Sequence, residues 1–170
     1  MSSKRLDDLT AAYLREILDY DPETGIFRWR CHRSGVTAGA VAGGVGSTCE
    51  YFLIQIDGRK YVAHRLAWLW MTGDWPGSDL DHIDVDPLNN CWSNLRLATN
   101  KQNCANKGPQ INNKSGRKGV CWKKKSKRWC AQITINGKRR HLGYFDTAEA
   151  AANTYATAAT IHFGEYARTK

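Results

Sequence analysis

Asp81-His82-Ile83-Asp84 opens the densest polar stretch of the sequence, which runs through Asn89, Asn90, Asn94 and Arg96 to Gln102 and Asn103. An imidazole next to carboxylates is the equipment needed to hydrolyse a phosphodiester. A base must take a proton from water, and a cation held by oxygen ligands must neutralise charge on the phosphoryl and leaving oxygens. On a regular strand Asp81 and His82 would point to opposite faces, so serving one reaction requires the strand to bend or end there. The competing reading treats Asp81, Asp84 and Asp86 as solvating acids and Asn89, Asn90 and Asn94 as turn residues of an ordinary loop.

Several elements must hold that stretch. Thr10 caps a first helix that carries Leu14, Ile17 and Leu18 and ends near Asp19. Asp21 to Gly25 is turn chemistry before a strand at Ile26–Arg30, and Gly35 to Gly46 is a loop or loose hairpin. Asp57-Gly58 joins strands at 51–56 and 60–63 in a second hairpin. His64 to Met71, closed by Gly73, reads as a buried helix with tryptophans in the core. His64 at its start is a capping or core residue on this reading. The polar stretch itself reads as short strand, irregular loop, short strand at Leu95–Leu97, and a helix begun by a Thr99–Gln102 capping box.

These residues resemble the HNH endonucleases, in particular the phage and intron-encoded homing type with an Asp-His…Asn…Asn core. Asp81-His82-Ile83-Asp84 stands at the family's first strand, Asn94-Leu95 at its central Ser-Asn-Leu, and Gln102-Asn103 at its final helical asparagine. Asn94 and Asn103 lie 13 and 22 residues beyond Asp81, and His64-Arg65-Leu66-Ala67 is similar to the segment upstream in these enzymes. The resemblance implies a ββα-metal site. Asp81 and Asn103 would hold one divalent ion, His82 would be the general base, and Asn94 would brace the loop and the imidazole. Mg²⁺ (or Mn²⁺) suits the oxygen ligands, and the products would carry 5′-phosphate and 3′-hydroxyl ends.

Charge separates the chain into two parts. Residues 1–107 carry 12 Lys and Arg against 13 Asp and Glu, whereas 108–170 carry 13 against 3, a net of +10. Between Lys114 and Arg140 eleven basic residues occur without an acid, the footprint expected for a polyanionic partner. Three strands are expected at 119–123, 128–135 and 138–144, followed by an alanine-rich helix capped by Thr147. From Ser115 to Ala167 this pattern resembles an AP2 domain, which implies that the sheet enters the major groove while the helix supports it. The reader positions carried over are Lys118, Gln132, Thr134, Arg139 and His141. Around them Arg117, Trp122, Lys123, Lys124, Lys125, Lys127, Arg128, Lys138 and Arg140 offer phosphate, sugar and base contacts. Trp129 has two open readings, reader or core.

The expected fold class is therefore α+β, with an HNH domain at residues 1–106 whose ββα-metal core spans about 78–106, a linker at 107–114, and at 115–167 a small three-stranded antiparallel sheet packed on one helix. The six cysteines lack zinc-ligand spacing, so no structural zinc and no disulfide framework is expected, only buried reduced thiols. No run of 18 apolar residues and no apolar leader is present, which points to a soluble monomer without membrane contact, in the cytoplasm of the host cell if phage-encoded. The function expected is a metal-dependent endonuclease acting on double-stranded DNA, nicking because each chain has one catalytic site. The alternatives are a sequence-specific DNA-binding protein or repressor with a vestigial nuclease site, and an RNA-binding protein using the basic sheet.

Overall fold

Thr10 starts the first helix, α1 (Ala11–Ile17), by accepting a hydrogen bond from the Tyr13 N–H on its hydroxyl at 3.2 Å. The helix stops short of Asp19 because Leu18 is already extended, with φ −131° and ψ 139°. Leu18–Asp21 is instead a strand, β1, paired antiparallel with β2 (Ile26–Trp29) from Leu18↔Trp29 to Asp21↔Ile26. The computed structural model describes residues 9–32, 35–47, 50–109 and 112–168. Cys49 and two linker positions, Gln110 and Ile111, lie outside the described residues.

A second sheet joins β3 (Gly44–Val45), β4 (Phe52–Ile56) and β5 (Arg59–Val62) in that order. Asp57 and Gly58 between β4 and β5 both have positive φ, 48° and 79°, as a tight hairpin turn demands. Helix α2 (Ala63–Thr72) follows at once and ends on Gly73, whose N–H donates to the Leu69 carbonyl. Leu14, Leu18, Phe27, Ile54, Ile56, Leu66 and Leu69 form the fully buried centre of this first region. Each contributes about 1.5–3 kcal/mol by leaving water.

Strands β6 (Asp79–His82) and β7 (Leu95–Ala98) form a two-stranded sheet, and the loop between them ends in a 3-10 turn at Trp92–Asn94. Helix α3 (Asn100–Asn106) is started by a complete capping box between Thr99 and Gln102. The chain divides into two compact units, one up to Leu97 and one from Ala98. Helix α3 groups with the second unit because it packs on helix α4 (Ala148–Phe163) and on the 3-10 turn Gly164–Tyr166 that follows α4.

In the second unit β8 (Val120–Lys123), β9 (Arg128–Ile135) and β10 (Lys138–Phe145) form an antiparallel sheet with β9 central. Val120, Ala131 and Ile133 meet Ala151, Tyr155 and Ala159 of α4, where small side chains let helix and sheet approach closely. Gly119, at φ 71°, shows how close: a Cβ there would stand 2.1 Å from the Tyr155 ring. The five described cysteines are free, and only Cys130 is buried. Cys31 and Cys104 are exposed, which corrects the expectation of buried thiols throughout. Among the described residues no helix is long and apolar enough to cross a membrane.

Candidate active site and nucleic-acid face

Strand β6 ends at His82, and the chain bends immediately beyond it. The Ile83 N–H donates to the Asn94 carbonyl at 2.9 Å, the Val85 N–H turns back to the His82 carbonyl at 3.0 Å, and Val85 takes a positive φ of 70°. That φ is costly for a β-branched residue. Asp81 and His82 are both buried at this irregular end. Arg96 on β7 donates to Asp81 Oδ2 through Nε and Nη2 at 3.0 and 2.9 Å, so the carboxylate is buried together with a countercharge.

The loop behind His82 is held by carboxamides. Asn94 Oδ1 accepts from the Asp84 N–H at 3.1 Å, while its Nδ2 donates to Asp84 Oδ1 at 2.9 Å and to the Asn89 carbonyl at 2.8 Å. Burial works against the Asp84 carboxylate, yet hydrogen bonds from Asn89, the Asp86 N–H and Asn94 hold it below the usual carboxylate range. The hydrogen bonds of Asn94 thus go to the loop. The imidazole is met by Asn90, whose Oδ1 lies 3.3 Å from His82 Nε2.

Asn90 is supported from the far side by the β1–β2 hairpin. Tyr20 donates its hydroxyl to the Asn90 carbonyl at 2.7 Å, and the Trp92 N–H donates to the Pro22 carbonyl at 2.9 Å. Gly25, at φ 70°, lies so near that a Cβ would be 2.3 Å from the Asn90 carbonyl carbon. A hairpin that looks like scaffold in the sequence therefore positions a residue touching His82.

His64 and Tyr51 complete the surroundings. The His64 ring meets the His82 ring edge-on with centroids 4.9 Å apart, and Tyr51 packs on both at 5.3 and 6.4 Å. Burial, then the neighbouring His82 and Arg65, push the His64 imidazolium down to about 3, so His64 is neutral at ordinary pH. Its Nδ1 is buried without a hydrogen-bond partner. Asn90, Arg96, His64 and Tyr51 were not among the expected site residues. Asn90 carries no periodic signal, since a loop folding back on its own strand brings it to His82.

The second unit sorts its basic residues by sheet face. The register Thr134↔Arg139, Gln132↔His141, Cys130↔Tyr144 and Lys123↔Arg128 places these side chains on the face away from α4. His141 and Tyr144 stay together across the bulge at Leu142, their ring centroids 4.6 Å apart. Four expected contact residues, Gln132, Thr134, Arg139 and His141, therefore share one surface. Trp122, Lys138 and Arg140 alternate onto the α4 side, where Trp129 packs on the Val120–Ala131–Ala151 cluster.

Lys124, Lys125 and Lys127 occupy the β8–β9 turn, and Arg117 the turn before β8. Arg128 is paired with Asp146 at 2.9 Å. Lys118 donates to three carbonyls at the end of α3, those of Cys104, Ala105 and Lys107, and burial with the nearby Arg168 lowers it to about 8. A groove of about 1140 Å³ in this unit is lined by Lys101, Lys124 and Arg139 among others, with no Asp or Glu among its described lining residues. Such a groove attracts anions.

A buried imidazole and a buried carboxylate thus stand at the end of β6, backed by an amide-braced loop. The sequence relationships give the family. The family model for HNH endonucleases matches residues 61–105. Protein 3.8 of Escherichia phage T7 is 38% identical over 106 residues, covering 62% of this chain and 87% of the relative. The uncharacterized HNH endonuclease L560 of Acanthamoeba polyphaga mimivirus is 33% identical over 153 residues, covering 88% and 70%. No solved structure matches the chain. The chain belongs to the HNH endonuclease family, a family of nucleases that generally use a divalent metal ion.

Among the described residues no three His, Cys, Asp or Glu side chains gather into a metal cluster. Of the two residues expected to hold an ion, Asp81 is a buried carboxylate of the first unit and Asn103 is a carboxamide on α3 of the second.

Proposed function

We propose that the chain is a divalent-metal-dependent DNA endonuclease of the homing type, with His82 as general base. The observation that carries this reading is the buried His82, next to Asp81 and hydrogen-bonded through Nε2 to Asn90. His82 removes a proton from water, the water oxygen bonds to phosphorus, and the bond from phosphorus to the 3′ oxygen breaks, that oxygen taking a proton from solvent. That leaves 5′-phosphate and 3′-hydroxyl ends. Asp81 and Asn103 would hold the ion, which when bound neutralises charge on the scissile phosphate. Asn94 keeps the loop in shape through Asp84 and Asn89.

The division of labour proposed is chemistry in residues 1–106, a linker at 107–114, and DNA binding in residues 115–167. The sheet face bearing Gln132, Thr134, Arg139 and His141 is the AP2-like reading surface, and the lysines of the β8–β9 turn contact phosphates. Support comes from the shared face of those four residues and from the absence of acids between Lys114 and Arg140. The proposed target is double-stranded DNA, and one catalytic site per monomer favours a nick.

Incubation with supercoiled plasmid tests this directly. Mg²⁺ or Mn²⁺ should convert supercoiled to open-circular DNA, and EDTA should stop the conversion. A tight gel shift with no strand breakage under any divalent ion would instead establish a DNA-binding protein with a silent nuclease site.

A further inference from the structure

The amide of Asn90 can face His82 in only one sense. Its Nδ2 donates to the Leu88 carbonyl at 3.1 Å, which needs a donor, and this leaves Oδ1 directed at His82 Nε2 at 3.3 Å. Reversing the amide would set two carbonyl oxygens against each other. A carboxamide oxygen accepts and never donates, so the nitrogen facing it must carry the hydrogen.

We infer that Asn90 is a positioning residue that holds His82 in the Nε2–H form and thereby makes Nδ1 the nitrogen that accepts the proton from water. This rests on the reading of His82 as general base. Both side chains are buried, Asn90 at 4% and His82 at 7% exposure, so the opposite form would leave a carboxamide oxygen facing a bare ring nitrogen away from water. Such a mismatch is disfavoured strongly enough for one form to dominate. The support reaches further back. The Tyr20 hydroxyl and the close approach of Gly25 fix the Asn90 backbone, and the His64 edge limits rotation of the His82 ring from another side.

Nitrogen-15 NMR of the His82 ring in the full chain, near neutral pH and without DNA, tests the inference with no variant. A protonated, pyrrole-like Nε2 and an unprotonated, pyridine-like Nδ1 are expected, and the reverse assignment overturns it. Kinetics supply the second arm. Asn90→Leu should lower kcat roughly 10- to 100-fold with KM for DNA little changed. Wild-type kcat in Asn90→Leu would refute the positioning role. Full activity in His82→Ala would sink the general-base reading instead, while the NMR assignment would still report the ring form.

Discussion

The loop behind His82 and the basic sheet of the second unit are both rich in polar side chains, yet they use them in opposite ways. In the loop, Asp84, Asn89, Asn90 and Asn94 bond to one another and to the backbone, so each polar atom helps fix the next. On the sheet, Lys123, Arg139 and His141 are exposed, and Arg128 is paired with Asp146. Chemistry on a phosphodiester needs atoms held before the substrate arrives. Binding a phosphate backbone needs charge at roughly the right spacing, which solvated side chains on a firm sheet supply.

The comparison breaks most visibly at the buried ion pair of β6 and β7, beside the loop. Arg96→Ala would leave the Asp81 carboxylate buried without its guanidinium, and chemical denaturation should register a loss of about 3–5 kcal/mol. A loss near zero would mean that Asp81 is less enclosed than described. On the sheet, single changes should cost less and add up. Arg139→Ala should weaken binding by about 1–3 kcal/mol and relax preference at one base position. Lys125→Ala should weaken all sequences alike and lower the slope of log K against log salt by about 0.9. If both changes act identically on every sequence, the sheet is a phosphate surface and reads no bases.

The smallest effects are two pH dependences, in each of which stability rises with pH. Asp84 is held below its unfolded value, so the folded loop binds fewer protons than the unfolded chain in acid. The stability it adds is present above about pH 4 and is lost as pH falls through the depressed folded value. Because Asp84 is exposed, the loss should be shallow, and Asp84→Asn should flatten it. Lys118 is lowered to about 8, so the unfolded chain binds more protons between that value and about 10.4, and stability should rise with pH across this window. Lys118→Met should remove the rise, as followed by thermal melts at several pH values.

Much of this frame is legible in the chain's own letters, for local reasons. Thr99 and Gln102, Asp57-Gly58 and Thr147 act through neighbours within a few residues, and each starts or turns the element its type implies. The alternation along β9 likewise separates Gln132 and Thr134 from Ala131 and Ile133. Contacts set by folding at a distance are not legible in that way. Asn90 has the composition of a turn residue and becomes a partner of His82 only because the Tyr20 hydroxyl and the Gly25 turn press its backbone into place. His64 reads as an ordinary helix-opening histidine until α2 brings it against the His82 ring. Lys118 carries the same charge as its neighbours, but α3 engages its ammonium with three carbonyls.

The central claim is that His82 removes the proton that makes water a nucleophile. Single-turnover cleavage of supercoiled plasmid by wild type and His82→Ala, at saturating protein and with Mg²⁺ present, tests it most directly. The predicted result is a rate lowered by about 10²–10⁴-fold in His82→Ala, with DNA affinity in a gel shift unchanged. Cleavage by a folded His82→Ala at the wild-type rate would contradict the account.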